Sequence, residues 1–152
     1  MRIGVVSDSH GYTGRLNTIL MAMEAEKKID ALFHLGDGYW DLRDLQADLP
    51  VYQAAGNCDL FCSDTLTLVE LSGARFLLTH GHQQHVKKGL EELTRLARRE
   101  EAAAALFGHT HIQKMERRGG VLLLNPGAAM EGQYAILNVG PRGAVGAELH
   151  TL

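Results

Sequence analysis

Five apolar runs in this chain stop at short turns that carry carboxylates, a carboxamide or imidazoles, and that repetition limits what the chain can fold into. The first is Val5-Val6-Ser7-Asp8-Ser9-His10-Gly11. Others end at Gly36-Asp37, at Gly56-Asn57-Cys58-Asp59 and at His80-Gly81-His82, and an alanine-rich run leads into Gly108-His109-Thr110-His111. Short aliphatic runs bounded in this way are expected to be buried strands. In open parallel α/β sheets, ligands bind outside the carboxyl ends of the strands. Asp8, His10, Asp37 and Asn57 fall just past such ends, and His80, His109 and His111 hold equivalent positions.

Taken in order, the pattern predicts a strand over Arg2 to Val6 and a helix from Thr13 to Lys28, with Leu16, Ile19, Leu20 and Met23 on its buried face. A strand over Ala31 to Leu35 completes a parallel pair with a right-handed crossover. A short helix is expected over Asp41 to Leu49, ended by Pro50, then a strand over Val51 to Ala54. Thr65 to Leu71 and Ala74 to Leu78 form a hairpin-like pair about Gly73. Val86, Leu90, Leu93 and Ala97 mark a helix from His85 to Arg99, and Ala102 to Phe107 reads as a buried strand. The last stretch reads as a meander of strands over Ile112 to Arg117, Val121 to Leu124, Tyr134 to Val139 and Ala144 to His150. The whole is expected to be one domain over residues 1–152, two sheets packed together with helices outside.

Composition narrows the function. A net charge of -3 and a pI near 6.2 argue against a general nucleic-acid or membrane-surface binder, which needs a basic excess. No run approaches the roughly 18 apolar residues of a membrane span, and the start has no apolar signal core, so a cytoplasmic location is expected. Cys58 and Cys62 read as two reduced thiols. Of eight histidines, His10, His80, His82, His109 and His111 all follow apolar runs, the placement of a metal site. Alone, Asp8 and His10 read equally well as a helix cap and a loop histidine.

The ordered set Asp8-Ser9-His10, Gly36-Asp37, Gly56-Asn57, His80-Gly81-His82 and Gly108-His109-Thr110-His111 resembles the calcineurin-like metallophosphoesterase superfamily. The short length and Gly56-Asn57-Cys58-Asp59 are most similar to its small bacterial and archaeal phosphodiesterases, and Asn125-Pro126-Gly127 resembles their late loop near the site. The resemblance implies a four-layer α-β-β-α sandwich of two mixed sheets flanked by helices, holding two divalent metal ions. Mn²⁺ is the first choice, with Ni²⁺, Fe²⁺ or Zn²⁺ the others. By position, Asp8, His10, Asp37 and His111 would hold one ion, and Asp37, Asn57, His80 and His109 the other, with Asp37 bridging. Two such ions about 3.5 to 4 Å apart can share a hydroxide and clamp a phosphoryl group. Such a centre keeps about one net positive charge, so an acidic chain can still attract a phosphate ester.

The candidate catalytic residues are Asp37, Asn57 and His82. Many members of the superfamily carry His where this chain has Cys58, and a thiol is a poor general acid. His82 reads either as a replacement that faces the phosphate or as a supporting loop histidine. Asp59 reads as orienting a ligand or capping a loop, and His34 as a satisfied core histidine. Tyr39 and Trp40 read as packing under the short helix ahead of stacking on a substrate, and Lys87 and Lys88 as a solvated helix face ahead of a phosphate grip. The implied activity is hydrolysis of a small phosphate ester, a diester first. The alternatives are a phosphomonoesterase or nucleotide hydrolase, and a scaffold on the same fold, as in the related retromer subunit. With no large insertion to cap the site, the substrate range is expected to be broad or set by homo-oligomerisation.

Overall fold

A computed structural model describes residues 1–45 and 48–152. In chain order the elements are β1 (Arg2–Val6), α1 (Thr13–Glu26), β2 (Ala31–His34), β3 (Val51–Gln53), β4 (Leu66–Leu71), β5 (Ala74–Thr79), α2 (Glu91–Arg99), β6 (Ala104–Leu106), β7 (Lys114–Arg118), β8 (Val121–Asn125), β9 (Gln133–Val139) and β10 (Val145–Thr151). They form two five-stranded mixed sheets, ordered β10-β9-β1-β2-β3 and β4-β5-β6-β8-β7.

β1 and β2 pair in parallel, Ile3 opposite Ala31 and Val6 opposite His34. Leu16, Ile19, Leu20 and Met23 of α1 cover the outer face of this sheet beside Val6, Leu32 and Ile136. In the second sheet β5, β6 and β8 run parallel, and Leu93 and Ala97 of α2 cover Leu77, Ala105 and Leu123. The central core lies between the sheets, where Phe33 of β2 meets Phe76 of β5 edge-on at 5.6 Å. An aromatic pair of this kind adds about 1 kcal/mol to its burial. The four layers are therefore α1, two sheets and α2. No helix among the described residues is long and apolar enough to cross a membrane.

Three sequence expectations change. Where a helix is expected over 41–49, the described residues form a 3-10 turn, Tyr39–Leu42, whose Asp41 carboxylate accepts the Ser9 hydroxyl at 2.6 Å and the Gly11 N–H at 2.8 Å. Gln46 and Ala47 of that expected helix lie outside the described residues. The helix expected from His85 begins only at Glu91, since His85 and Gly89 sit at φ of 54° and 151° and break helical geometry. The terminal meander is instead two hairpins in different sheets, β7-β8 and β9-β10. Both edges of β8 are already taken by β6 and β7, so the chain leaves through Pro126-Gly127 to pair β9 with β1.

Candidate metal centre

The loops leaving β1 and β2 are tied to each other beyond the strands. The Asp8 N–H donates to Gly36 O and the His10 N–H to Asp37 O, both at 2.9 Å. Across the molecule, the Gly108 N–H donates to His80 O at 2.9 Å and joins the ends of β5 and β6. The two rims then meet at Gly108, while Gly56, just past β3, packs against Asp37 within the first sheet's own rim. A Cβ on Gly108 would lie 2.0 Å from Ser7 Oγ, and one on Gly56 would lie 2.1 Å from Asp37 Oδ1. Of ten described non-glycine residues at positive φ, five are Asp8, His10, Asp37, His109 and His111. Backbone strain is concentrated where side chains converge, a common property of functional sites.

Asp8 is fully buried. Its Oδ2 accepts the Ser7 hydroxyl at 2.6 Å and the His109 N–H at 3.1 Å. Its Oδ1 faces Nε2 of His111 at 3.0 Å, of His10 at 3.5 Å and of His80 at 3.8 Å. Asp37 Oδ1 accepts the Cys58 N–H at 2.8 Å, while Oδ2 lies 3.1 Å from His80 Nε2 and 3.8 Å from His10 Nε2. His80 Nδ1 meets the Leu35 carbonyl at 2.7 Å, an acceptor only, so that nitrogen carries the hydrogen and Nε2 turns its lone pair toward the carboxylates. Asp8 Oδ1, His10 Nε2 and His80 Nε2 are buried and make no hydrogen bond.

Buried acceptors facing one another require a positive species among them. A proton on His80 is one such species. Burial pushes its pKa down, but the close approach of Asp37 and the charges of Asp8 and Asp37 outweigh this, and the pKa is raised. Burial likewise pushes Asp37 up, and the His80 contact and the Cys58 N–H bring it well below the usual carboxylate range. A divalent ion would satisfy several of these acceptors at once. The donor atoms of Asp8, His10 and His111 lie within 4.8 Å of one another, as do those of Asp37, His80 and His109. The residues present fit two ions, with mixed oxygen and nitrogen donors. His10, Asp37 and the Cys58 sulfur form a third such group.

Six of the residues singled out by sequence, Asp8, His10, Asp37, His80, His109 and His111, thus share one site. Asn57 is exposed, its carboxamide donating to Cys58 Sγ at 3.6 Å. His82 is half-buried, with its ring 5.6 Å from that of His80 and 6.2 Å from that of His109. Burial and then His80 lower the His82 pKa, and burial, His80 and Lys87 lower that of His109, so both rings are neutral near pH 7.

Three supports lie behind the site. The Asp59 carboxylate accepts the N–H groups of Asp37 (2.8 Å), Gly38 (2.9 Å), Tyr39 (3.0 Å) and Gly56 (2.7 Å). Burial pushes its pKa up, but these four donors outweigh it and the pKa is lowered. His34 accepts the Gly36 N–H at Nδ1 (3.1 Å) and lies 2.9 Å from Ser9 Oγ at Nε2, with its pKa lowered by burial to about 4. Buried Asn125 donates to Gly108 O at 3.0 Å and Thr110 Oγ1 at 2.9 Å, steadying the turn that carries His109 and His111. Asp41, which holds Ser9 and Gly11, carries no sequence signal beyond being an acid after the Gly36-Asp37 turn.

Comparison with known proteins follows the same lines. Residues 1–140 match the calcineurin-like phosphoesterase superfamily domain. The chain is 35% identical over 129 residues to the probable metallophosphoesterase YsnB of Bacillus subtilis, covering 84% of this chain and 75% of that one. It is 26% identical over 152 residues to a phosphodiesterase of Methanocaldococcus jannaschii, covering 84% and 83%. The solved structure of Vps29 from Entamoeba histolytica complexed with Zn²⁺ superposes with a TM-score of 0.71 at 21% identity, over 99% of both chains; at that identity the likeness is one of fold. The chain therefore belongs to the calcineurin-like phosphoesterase superfamily.

Proposed function

We propose that the chain is a metal-dependent phosphoesterase that hydrolyses small phosphate esters, diesters first, with a hydroxide shared between two divalent ions, Mn²⁺ ahead of Ni²⁺, Fe²⁺ and Zn²⁺. The observation that carries this reading is the pair of donor clusters in which the buried atoms Asp8 Oδ1, His10 Nε2 and His80 Nε2 lack any hydrogen-bond partner. Asp8, His10 and His111 would hold one ion, His80, His109 and Asn57 the other, and Asp37, which faces both clusters, would lie between. Bound there, the ions supply charge for the phosphoryl oxygens and a water acidic enough to attack phosphorus at neutral pH.

The chain's own groups supply position. Asp59 fixes the Asp37 loop, and the Leu35 carbonyl sets the His80 tautomer. Neutral His82 offers a hydrogen-bonding ring at the edge of the site. The Cys58 thiol stands near Asp37; burial and the Asp37 charge raise its pKa, so it is protonated but donates weakly. The diester preference is supported by the phosphodiesterase of Methanocaldococcus jannaschii. A scaffold role is disfavoured because unpartnered buried carboxylate and imidazole atoms cost stability and serve no packing purpose.

The test is a hydrolysis screen on metal-stripped protein with Mn²⁺, Ni²⁺, Zn²⁺ or Mg²⁺ added back, using bis(4-nitrophenyl) phosphate and 4-nitrophenyl phosphate. Restored diester hydrolysis that Asp37→Asn abolishes is the expected result. No hydrolysis with any metal overturns the reading in favour of the scaffold.

A further inference from the structure

A groove of about 380 Å³ opens beside the metal centre, a size suited to a small-molecule arm. Thr110, which separates His109 from His111 in the turn beyond β6, is one of its lining residues. Its floor is apolar, formed by buried Val86, Leu90 and Phe107. Lys87 and Lys88 line it from the series of turns before α2, solvent-exposed as the sequence predicts but not on a helix.

The other cations of the groove are engaged. Arg118 pairs with Glu116 at 3.0 Å and Glu91 at 3.6 Å, and Lys114 pairs with Glu116 at 3.3 Å. Among the described residues, Lys87 and Lys88 form no such pair. Two unpaired ammonium groups above an apolar floor, open to a site that handles phosphate esters, match an arm of one chemistry: an apolar body with a second negative charge.

We infer that the groove binds the distal arm of a phosphodiester substrate, a nucleoside carrying a second phosphate. The inference rests on the phosphoesterase reading above. The deciding comparison is between thymidine 5′-(4-nitrophenyl phosphate) and the same ester bearing a 3′-phosphate, which differ only in the second anion. The native protein should favour the 3′-phosphorylated ester in kcat/KM by roughly tenfold, as two surface ion pairs would give. That preference should shrink as salt is raised and disappear in Lys87→Ala/Lys88→Ala. Equal kcat/KM for the two esters, or a preference that survives the double substitution, overturns it.

Calorimetric binding of thymidine 3′,5′-bisphosphate against thymidine 5′-phosphate separates the two claims. If neither ester is hydrolysed but the bisphosphate binds more tightly and loses that advantage in the double variant, the hydrolase reading falls and the groove stands. If the bisphosphate gains nothing over the monophosphate, the groove falls.

Discussion

The backbone N–H of Asp37 donates to Asp59 Oδ2 at 2.8 Å, and the same oxygen accepts the Gly56 N–H at 2.7 Å. One carboxylate thereby fixes both the loop that carries Asp37 and the loop that carries Asn57 and Cys58. In Asp59→Asn a single carbonyl oxygen replaces two acceptors, and an NH₂ faces backbone donors. Stability should fall by about 2 kcal/mol, and metal affinity should fall 10- to 100-fold, roughly the cost of losing a group that orients a ligand. Urea unfolding and metal titration would measure the two losses.

Gly108 is a second point of closure. A methyl group there would lie 2.0 Å from Ser7 Oγ and 2.6 Å from Asp8 Oδ2, so Gly108→Ala must push the two rims apart. The expected cost is about 2 kcal/mol of stability, with weakened ion binding at Asp8, His10 and His111. Retention of native thermal stability and of both ions on metal analysis would contradict this account of the contact.

Acid should destabilise the protein through His34. The folded-state pKa is lowered to about 4 from 6.5, so the unfolded chain binds the extra proton over that interval. Its contribution is intact above pH 6.5, declines as pH falls and is lost below about 4, amounting to about 3 kcal/mol. His34→Gln should flatten this part of the stability profile, measured by denaturation midpoints across the range.

Leaving groups should matter strongly. A weakly donating Cys58 thiol gives little help to a departing alkoxide, whereas an aryl oxide needs none. Aryl diesters should be cleaved at least about 100-fold faster than alkyl diesters, the scale of a missing general acid. Rates measured against leaving-group pKa would show a steep slope; a flat line would show that another residue supplies the proton.

Much of the site was legible because its groups sit at strand ends, where an apolar run followed by Asp or His fixes both the element and the rim it serves. Asp8, His10, Asp37, His80, His109 and His111 were found in this way. The dual reading of Asp59 could not be settled from sequence, because capping and ligand support call for the same carboxylate and differ only in which N–H groups it meets. The helices expected around Asp41 and Lys87 differ among the described residues: the first is the 3-10 turn Tyr39–Leu42, and positive φ at His85 and Gly89 breaks the second before Glu91. Sheet order was illegible since β8 and β9 look alike as apolar runs, and only the filled edges of β8 send β9 to the other sheet.

The metal centre straddles the boundary between the two sheets. Asp8, His10 and Asp37 come from the rim of β1 and β2, and His80, His109 and His111 from the rim of β5 and β6. The Asp8–His10–His111 and Asp37–His80–His109 clusters each take members from both, so an ion held in either would act as a crosslink between the two sheets. At a thousandfold excess over its dissociation constant, a native-state ligand adds about 4 kcal/mol. The melting temperature of this protein should therefore report how fully its metal centre is loaded, and chelation should loosen the two sheets together.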